Sequence, residues 1–98
     1  MPLTSKQARQ LRGLAHHLQP VVLVGDKGVT EAVIDQVDVK LENHELIKVR
    51  VAADRDDVKA AGVQLCERTG AELAGSIGKV LVLYRRRKEG KPLIQLVK

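Results

Sequence analysis

The chain has 98 residues, 44% of them hydrophobic and 30% charged, with 17 Lys and Arg against 12 Asp and Glu. That length makes one domain with a core that needs no disulfide staples, and the only cysteine, Cys66, excludes an internal bridge and fits a reducing compartment. No apolar run approaches the ~18 residues of a membrane span, and the start, Met1-Pro2-Leu3-Thr4-Ser5-Lys6, lacks the apolar stretch of a secretory signal, so a cytoplasmic domain over residues 1–98 is expected.

The first helix is predicted to open at Thr4, which has capping-box spacing to Gln7. Ala8, Leu11, Leu14, Ala15 and Leu18 recur on one side at helical spacing, and Pro20 ends the pattern. The opposite arc collects Lys6, Arg9, Arg12, His16 and His17, a basic outer face. Val21-Val22-Leu23-Val24 is an unbroken apolar run, expected to be an interior strand buried on both faces. Gly25-Asp26-Lys27-Gly28 breaks it, and a second helix is predicted from Thr30 to about Asn43. Val33, Ile34, Val37 and Leu41 form its core side; Glu31, Asp35, Asp38 and Glu42 form an acidic stripe on the other.

Leu46 to Ala52 alternates, with Ile47, Val49 and Val51 inward. The acidic run Asp54 to Asp57 suits a helix start. The third helix buries Val58, Ala61, Leu65 and Cys66 and stops at Gly70. Ala71 to Ala74 is a weak strand, Gly75 to Gly78 a turn, and Val80 to Tyr84 a strong strand. Arg85-Arg86-Arg87-Lys88 opens a basic surface segment that runs to the end of the chain, with a short edge strand expected over Leu93 to Val97. The order αβαβαββ, with helical crossovers and one closing hairpin, gives an α/β fold with a mixed four-stranded sheet.

Charge is unevenly spread. Residues 1–30 carry Lys6, Arg9, Arg12 and Lys27 against Asp26 alone, and residues 73–98 carry seven basic groups against Glu89. Residues 31–72 between them hold ten acidic groups against six basic ones. A protein that presents one face to a polyanion has this polarity.

Gly25-Asp26-Lys27-Gly28 is the most informative stretch. Its glycines let a phosphate approach without a Cβ in the way, the helix that follows offers free N–H groups and a positive dipole end, and Lys27 adds a charge at the tip. A GxxG clamp on a nucleic-acid backbone uses these parts. The stretch is neither a Walker A loop nor GxGxxG, so no nucleotide cofactor is indicated. Tyr84 is the sole aromatic residue, which argues against platforms that stack bases on aromatic rings. His44-Glu45-Leu46-Ile47-Lys48 has Lys48 where HExxH needs its second histidine, so a zinc protease is excluded. No metal site and no nucleophile with a partnered base is expected, nor a small-molecule substrate.

The runs Leu23-Val24-Gly25-Asp26-Lys27-Gly28-Val29-Thr30-Glu31, His44-Glu45-Leu46-Ile47-Lys48-Val49, Thr69-Gly70-Ala71 and Ile77-Gly78-Lys79-Val80 through Arg85 together resemble the CRM domain, the chloroplast RNA splicing and ribosome maturation domain, whose single-domain bacterial form is the YhbY-type protein. The resemblance covers roughly residues 3 to 87. It implies a fold similar to the C-terminal domain of translation initiation factor three, and RNA binding directed at precursors of the large ribosomal subunit. It also implies that Gly25, Asp26, Lys27 and Gly28 contact RNA. The expected interface adds Lys6, Arg9 and Arg12 on one flank and Arg85, Arg86, Arg87 and Lys88 on the other, with the acidic stripe turned away. A protein-interaction adaptor on the ribosome is the alternative, and an enzyme is not expected.

Overall fold

Thr4 closes the first turn of α1 (Ser5–Ala15): its hydroxyl accepts from the Gln7 N–H at 3.1 Å, and the Gln7 side chain accepts from the Thr4 N–H at 3.1 Å. This is the reciprocal box that the spacing predicts. The computed structural model describes residues 2–98; Met1, part of the start segment, lies outside the described residues. After α1 come β1 (Pro20–Val24), α2 (Glu31–His44), β2 (Leu46–Val51), α3 (Arg55–Thr69), β3 (Glu72–Ile77) and β4 (Val80–Tyr84), the order expected from the sequence.

The sheet has four strands in the order β1-β2-β4-β3. β1 and β2 are parallel, as a helical crossover requires, and β4 is antiparallel to both β2 and β3. Register then fixes which loops meet. Val24 pairs with Val51 and Arg50 with Val80, so the exits of β1 and β2 share one end of the sheet with the β3–β4 turn. Leu46 pairs with Tyr84, which puts everything after β4 at the opposite end.

Each face has its own apolar layer. Ile47, Val49, Val51, Leu81 and Leu83 pack against Ile34, Val37 and Leu41 of α2 and Val58, Ala61 and Leu65 of α3. On the other face Leu46, Ala74, Val82 and Tyr84 pack against Leu11 and Ala15 of α1, joined by Leu3, Ile94 and Leu96. Burying one such aliphatic side chain is worth about 1.5–3 kcal/mol, and Tyr84 is the one aromatic member of layers otherwise built of Val, Leu, Ile and Ala.

Four expectations are corrected. β1 is an edge strand, not an interior one: Val22 and Val24 are buried, whereas Val21 and Leu23 on the α1 face are 42% and 60% exposed. Leu14 and Leu18 are exposed rather than core, because α1 packs on β2, β3 and β4 and leaves β1 open. β3 runs on to Ile77, with only Gly78 and Lys79 left for the turn. Residues 93–97 form no strand; side chains of α1 hold them instead, Gln10 accepting from the Val97 N–H and Gln7 and Gln10 donating to the carbonyls of Val97 and Gln95.

Candidate nucleic-acid interface

Gly25 to Gly28 leaves the sheet at the carboxyl ends of the two parallel strands, where ligands of open α/β sheets bind. The loop closes on itself through Gly28 N–H donating to Gly25 C=O at 3.0 Å. Gly28 has φ +74°, a conformation that an L side chain resists. Gly25 has no such need: its backbone is ordinary, and a Cβ there would meet nothing within 4 Å. Asp26 and Lys27 are exposed at the tip. Thr30 caps α2 by accepting from the Val33 N–H at 3.2 Å, which leaves amide donors of the first turn free.

A second helix start lies close by. The depression behind the loop, about 220 Å³, is walled by Gly25, Asp26 and Gly28 on one side and by Ala52, Ala53, Asp57 and Gln64 on the other. Asp54, the N-cap of α3, makes no side-chain cap bond, so the α3 amides lack the side-chain acceptor that Thr30 gives α2. Two positive helix ends thus open at one end of the sheet. Lys79 is at this end, its carbonyl accepting from the Val51 N–H at 2.8 Å, and exposed Arg50 pairs with Leu23 and Val80 on the α1 face of the sheet. Asp54, Asp56 and Asp57 crowd the α3 lip, whereas Lys27, Arg50 and Lys79 carry positive charge at the same end of the sheet.

Lys6, Arg9 and Arg12 are all exposed on α1. Arg12 is also anchored: its Nη1 donates to the Ala74 carbonyl at 2.9 Å, and its methylenes lie over Gly75, where a Cβ would come within 2.6 Å of Arg12 Cδ. Arg9 and Arg12 border the same depression as Glu72 and Leu73, so the basic arc follows the β3 edge. The sequence pattern locates the arc but not the glycine beneath it.

The second flank is corrected. Arg85 is 8% exposed, and its guanidinium faces inward, donating to Asp38, to the Thr69 carbonyl at 2.8 Å and to Glu42. Arg86, Arg87 and Lys88 follow it at the far end of the sheet from the loop, roughly 14 Å along the length of β4. They do not flank Gly25 to Gly28. Three of the four carboxylates of the acidic stripe are engaged within the fold. Asp35 stands exposed, but Asp38 holds Arg85, Glu42 accepts from the N–H groups of Lys88 and Glu89, and Glu31 pairs with Arg68. The hydrogen bond from Arg85 keeps the Asp38 carboxyl below its ordinary pKa, and the Lys88 and Glu89 N–H donors do the same for Glu42.

Sequence reasoning missed Glu45. It is fully buried with φ +63°, and its carboxyl accepts from the N–H groups of Arg87, Leu93 and Ile94 at 2.8, 2.6 and 2.8 Å. Its place in a failed HExxH pattern gave no hint of this. Cys66 is half-buried against the larger core, and burial pushes its thiol pKa up, away from reactivity. Among the described residues no group of three His, Cys, Asp or Glu side chains is placed to hold a metal ion, and no helix is long and apolar enough to cross a membrane.

Comparison with known proteins agrees with this architecture. The family model described as the CRS1 / YhbY (CRM) domain matches residues 3–85. A protein of Haemophilus influenzae named RNA-binding protein is 46% identical over 90 residues, covering 91% of each chain. The probable RNA-binding protein YqeI of Bacillus subtilis is 42% identical over 95 residues, 93% of this chain and 96% of that one. The solution structure of a hypothetical protein from Staphylococcus aureus superposes with a TM-score of 0.84 at 46% identity, covering 97% of this chain and 99% of that one.

Proposed function

Since the chain belongs to the CRS1 / YhbY (CRM) domain family, we propose that it binds RNA, with Gly25 to Gly28 gripping a phosphate, and that it serves assembly of the large ribosomal subunit. RNA binding is what the names of its relatives in Haemophilus influenzae and Bacillus subtilis carry; the ribosomal target extends the family resemblance. Cytoplasmic residence belongs to the same proposal. The backbone enters at the loop, between Lys27 and Lys79, and passes along the exposed arc of Arg12, Arg9 and Lys6. Each cation neutralises a phosphate and releases counterions, which gives affinity without reading sequence.

One observation carries the reading. Gly25 is exposed, has ordinary backbone angles and has open space where a side chain would stand, so the fold gives no reason for a glycine there. An approaching phosphate supplies one. Gly25→Asp is therefore expected to leave stability unchanged and to weaken binding to a fragment of large-subunit precursor RNA by roughly tenfold or more, since it sets a carboxylate where the phosphate belongs. Unchanged affinity in the folded variant removes the loop from the interface.

A further inference from the structure

The two faces of the sheet are unequally covered. Four strands about 4.8 Å apart present a face roughly 14–19 Å wide, and one helix with its side chains covers about 10 Å. The face under α2 and α3 has two helices; the other has α1 alone, with the C-terminal segment beside it. What remains bare lies above β1. There Leu14, Leu18, Val21, Leu46 and Ile94 line an open groove of about 440 Å³. That is about three times the ~150 Å³ that holds a benzene ring, room for about three aliphatic anchors.

The surroundings of the groove specify an occupant. The depression adjoining it through Leu18 carries Lys48 and His16, and the one adjoining through Ile94 carries Arg86 and Lys91. No Asp or Glu lines any of the three. The groove itself has aliphatic walls, with only Gln19 and His44 as polar neighbours. A nucleobase seeks aromatic or guanidinium planes and polar partners for its edges. An amphipathic helix seeks an apolar trough, and cations at both ends select acidic flanks.

We propose that this groove docks one amphipathic helix with acidic flanks from a partner protein, completing the second helical layer over the sheet. Arg86 and Lys91 then act as its charged rim rather than as part of the RNA path. The inference stands independently of the RNA reading, because the groove and the Gly25 to Gly28 loop share no residue.

The test titrates the isotope-labelled full chain with a synthetic peptide of about 16 residues. The peptide carries Leu at i, i+3, i+4 and i+7 and Glu on its flanks. Methyl shifts concentrated at Leu14, Leu18, Val21 and Ile94 are expected. Affinity is expected to drop roughly tenfold when the flanking Glu are exchanged for Lys, or in the Arg86→Glu, Lys91→Glu variant. Leu14→Asp and Val21→Thr, at exposed positions that tolerate polar groups, are each expected to weaken binding in a folded chain. No binding, shifts elsewhere, or indifference to flank charge overturns the proposal. So do the same methyls moving with a single-stranded RNA 12-mer instead of the peptide, or with protein concentration alone, which would make the groove a nucleic-acid site or a contact between copies.

Discussion

Glu45 and Ile94 are 49 positions apart, yet the Glu45 Oε1 accepts the Ile94 N–H at 2.8 Å and the Leu93 N–H beside it at 2.6 Å. With Oε2 on the Arg87 N–H, one buried side chain ties down the basic segment on both sides of its Lys88 to Pro92 stretch. The same carboxyl decides where Ile94 and Leu96 reach the smaller core.

Hydrogen bonds to a charged group are worth about 1.5–3 kcal/mol each, and an orphaned buried donor costs a further share. Glu45→Ala is therefore expected to destabilise by about 3 kcal/mol or more in urea titration, with amide-exchange protection at Leu93 and Ile94 lost first. Glu45→Gly removes the same anchor but relieves the φ of +63°, so it is expected to be about 1 kcal/mol less damaging than Ala. Equal costs for the two would mean that the backbone there is unstrained.

Arg85 and Arg86 look alike in sequence and are expected to differ in consequence. Arg85→Gln loses the Thr69 carbonyl and Asp38 together. The cost is expected near 2 kcal/mol, below the ~3–5 kcal/mol of a fully buried pair, since Asp38 can rehydrate. Arg86 is exposed, and Arg86→Gln should change stability by less than about 0.5 kcal/mol. Thermal melts of the two variants check the contrast.

This pair also marks how far the sequence is legible. Apolar periodicity and caps locate the three helices and four strands of the described residues and add a tail strand that does not form, because period and capping are local properties. The edge position of β1 was not local: Val21 to Val24 reads as buried on both faces until strand order assigns it one neighbour. A basic run after a strand likewise reads as surface. Only the packing of α2 under the end of β4 turns Arg85 inward, and only the return of the tail gives Glu45 its partners. For the interface, the glycines and the α1 cations were visible as types. The separation of the glycine loop from Arg86 to Lys88 by the length of a strand follows from register, which no composition encodes.

Asp38 and Glu42 hold the start of the basic segment, and both have folded-state pKa values below the ordinary ones. A depressed carboxyl contributes stability that is present above its unfolded pKa and lost as pH falls through its folded one. The segment is therefore expected to stay protected from pH 7 down to about 4 and to loosen below that. Amide exchange at Lys88 and Glu89 across this range reports it. In the Asp38→Asn, Glu42→Gln variant the acid-side loss should flatten, and loosening already near pH 6 would contradict the assignment.

Salt dependence separates the two basic regions. Lys27, Arg50 and Lys79 lie at the loop end of the sheet, whereas Arg86, Lys88 and Lys91 follow the other end of β4. A cation that neutralises a phosphate adds roughly 0.7 to the slope of log affinity against log salt for single-stranded RNA, and about 0.9 for a duplex of the B-DNA kind. Replacing Lys27, Arg50 and Lys79 by Gln is expected to flatten the slope for a ribosomal RNA fragment by about 2. Replacing Arg86, Lys88 and Lys91 by Gln should leave the line parallel to the parent's, since those cations follow the end of β4 that lies away from the loop. Arg12 is left out of both sets because its Nη1 is engaged by Ala74, so its loss would mix a structural effect with an electrostatic one. If the second set flattens the slope and the first does not, the RNA lies across the far end of the sheet, and the Gly25 to Gly28 loop loses its role.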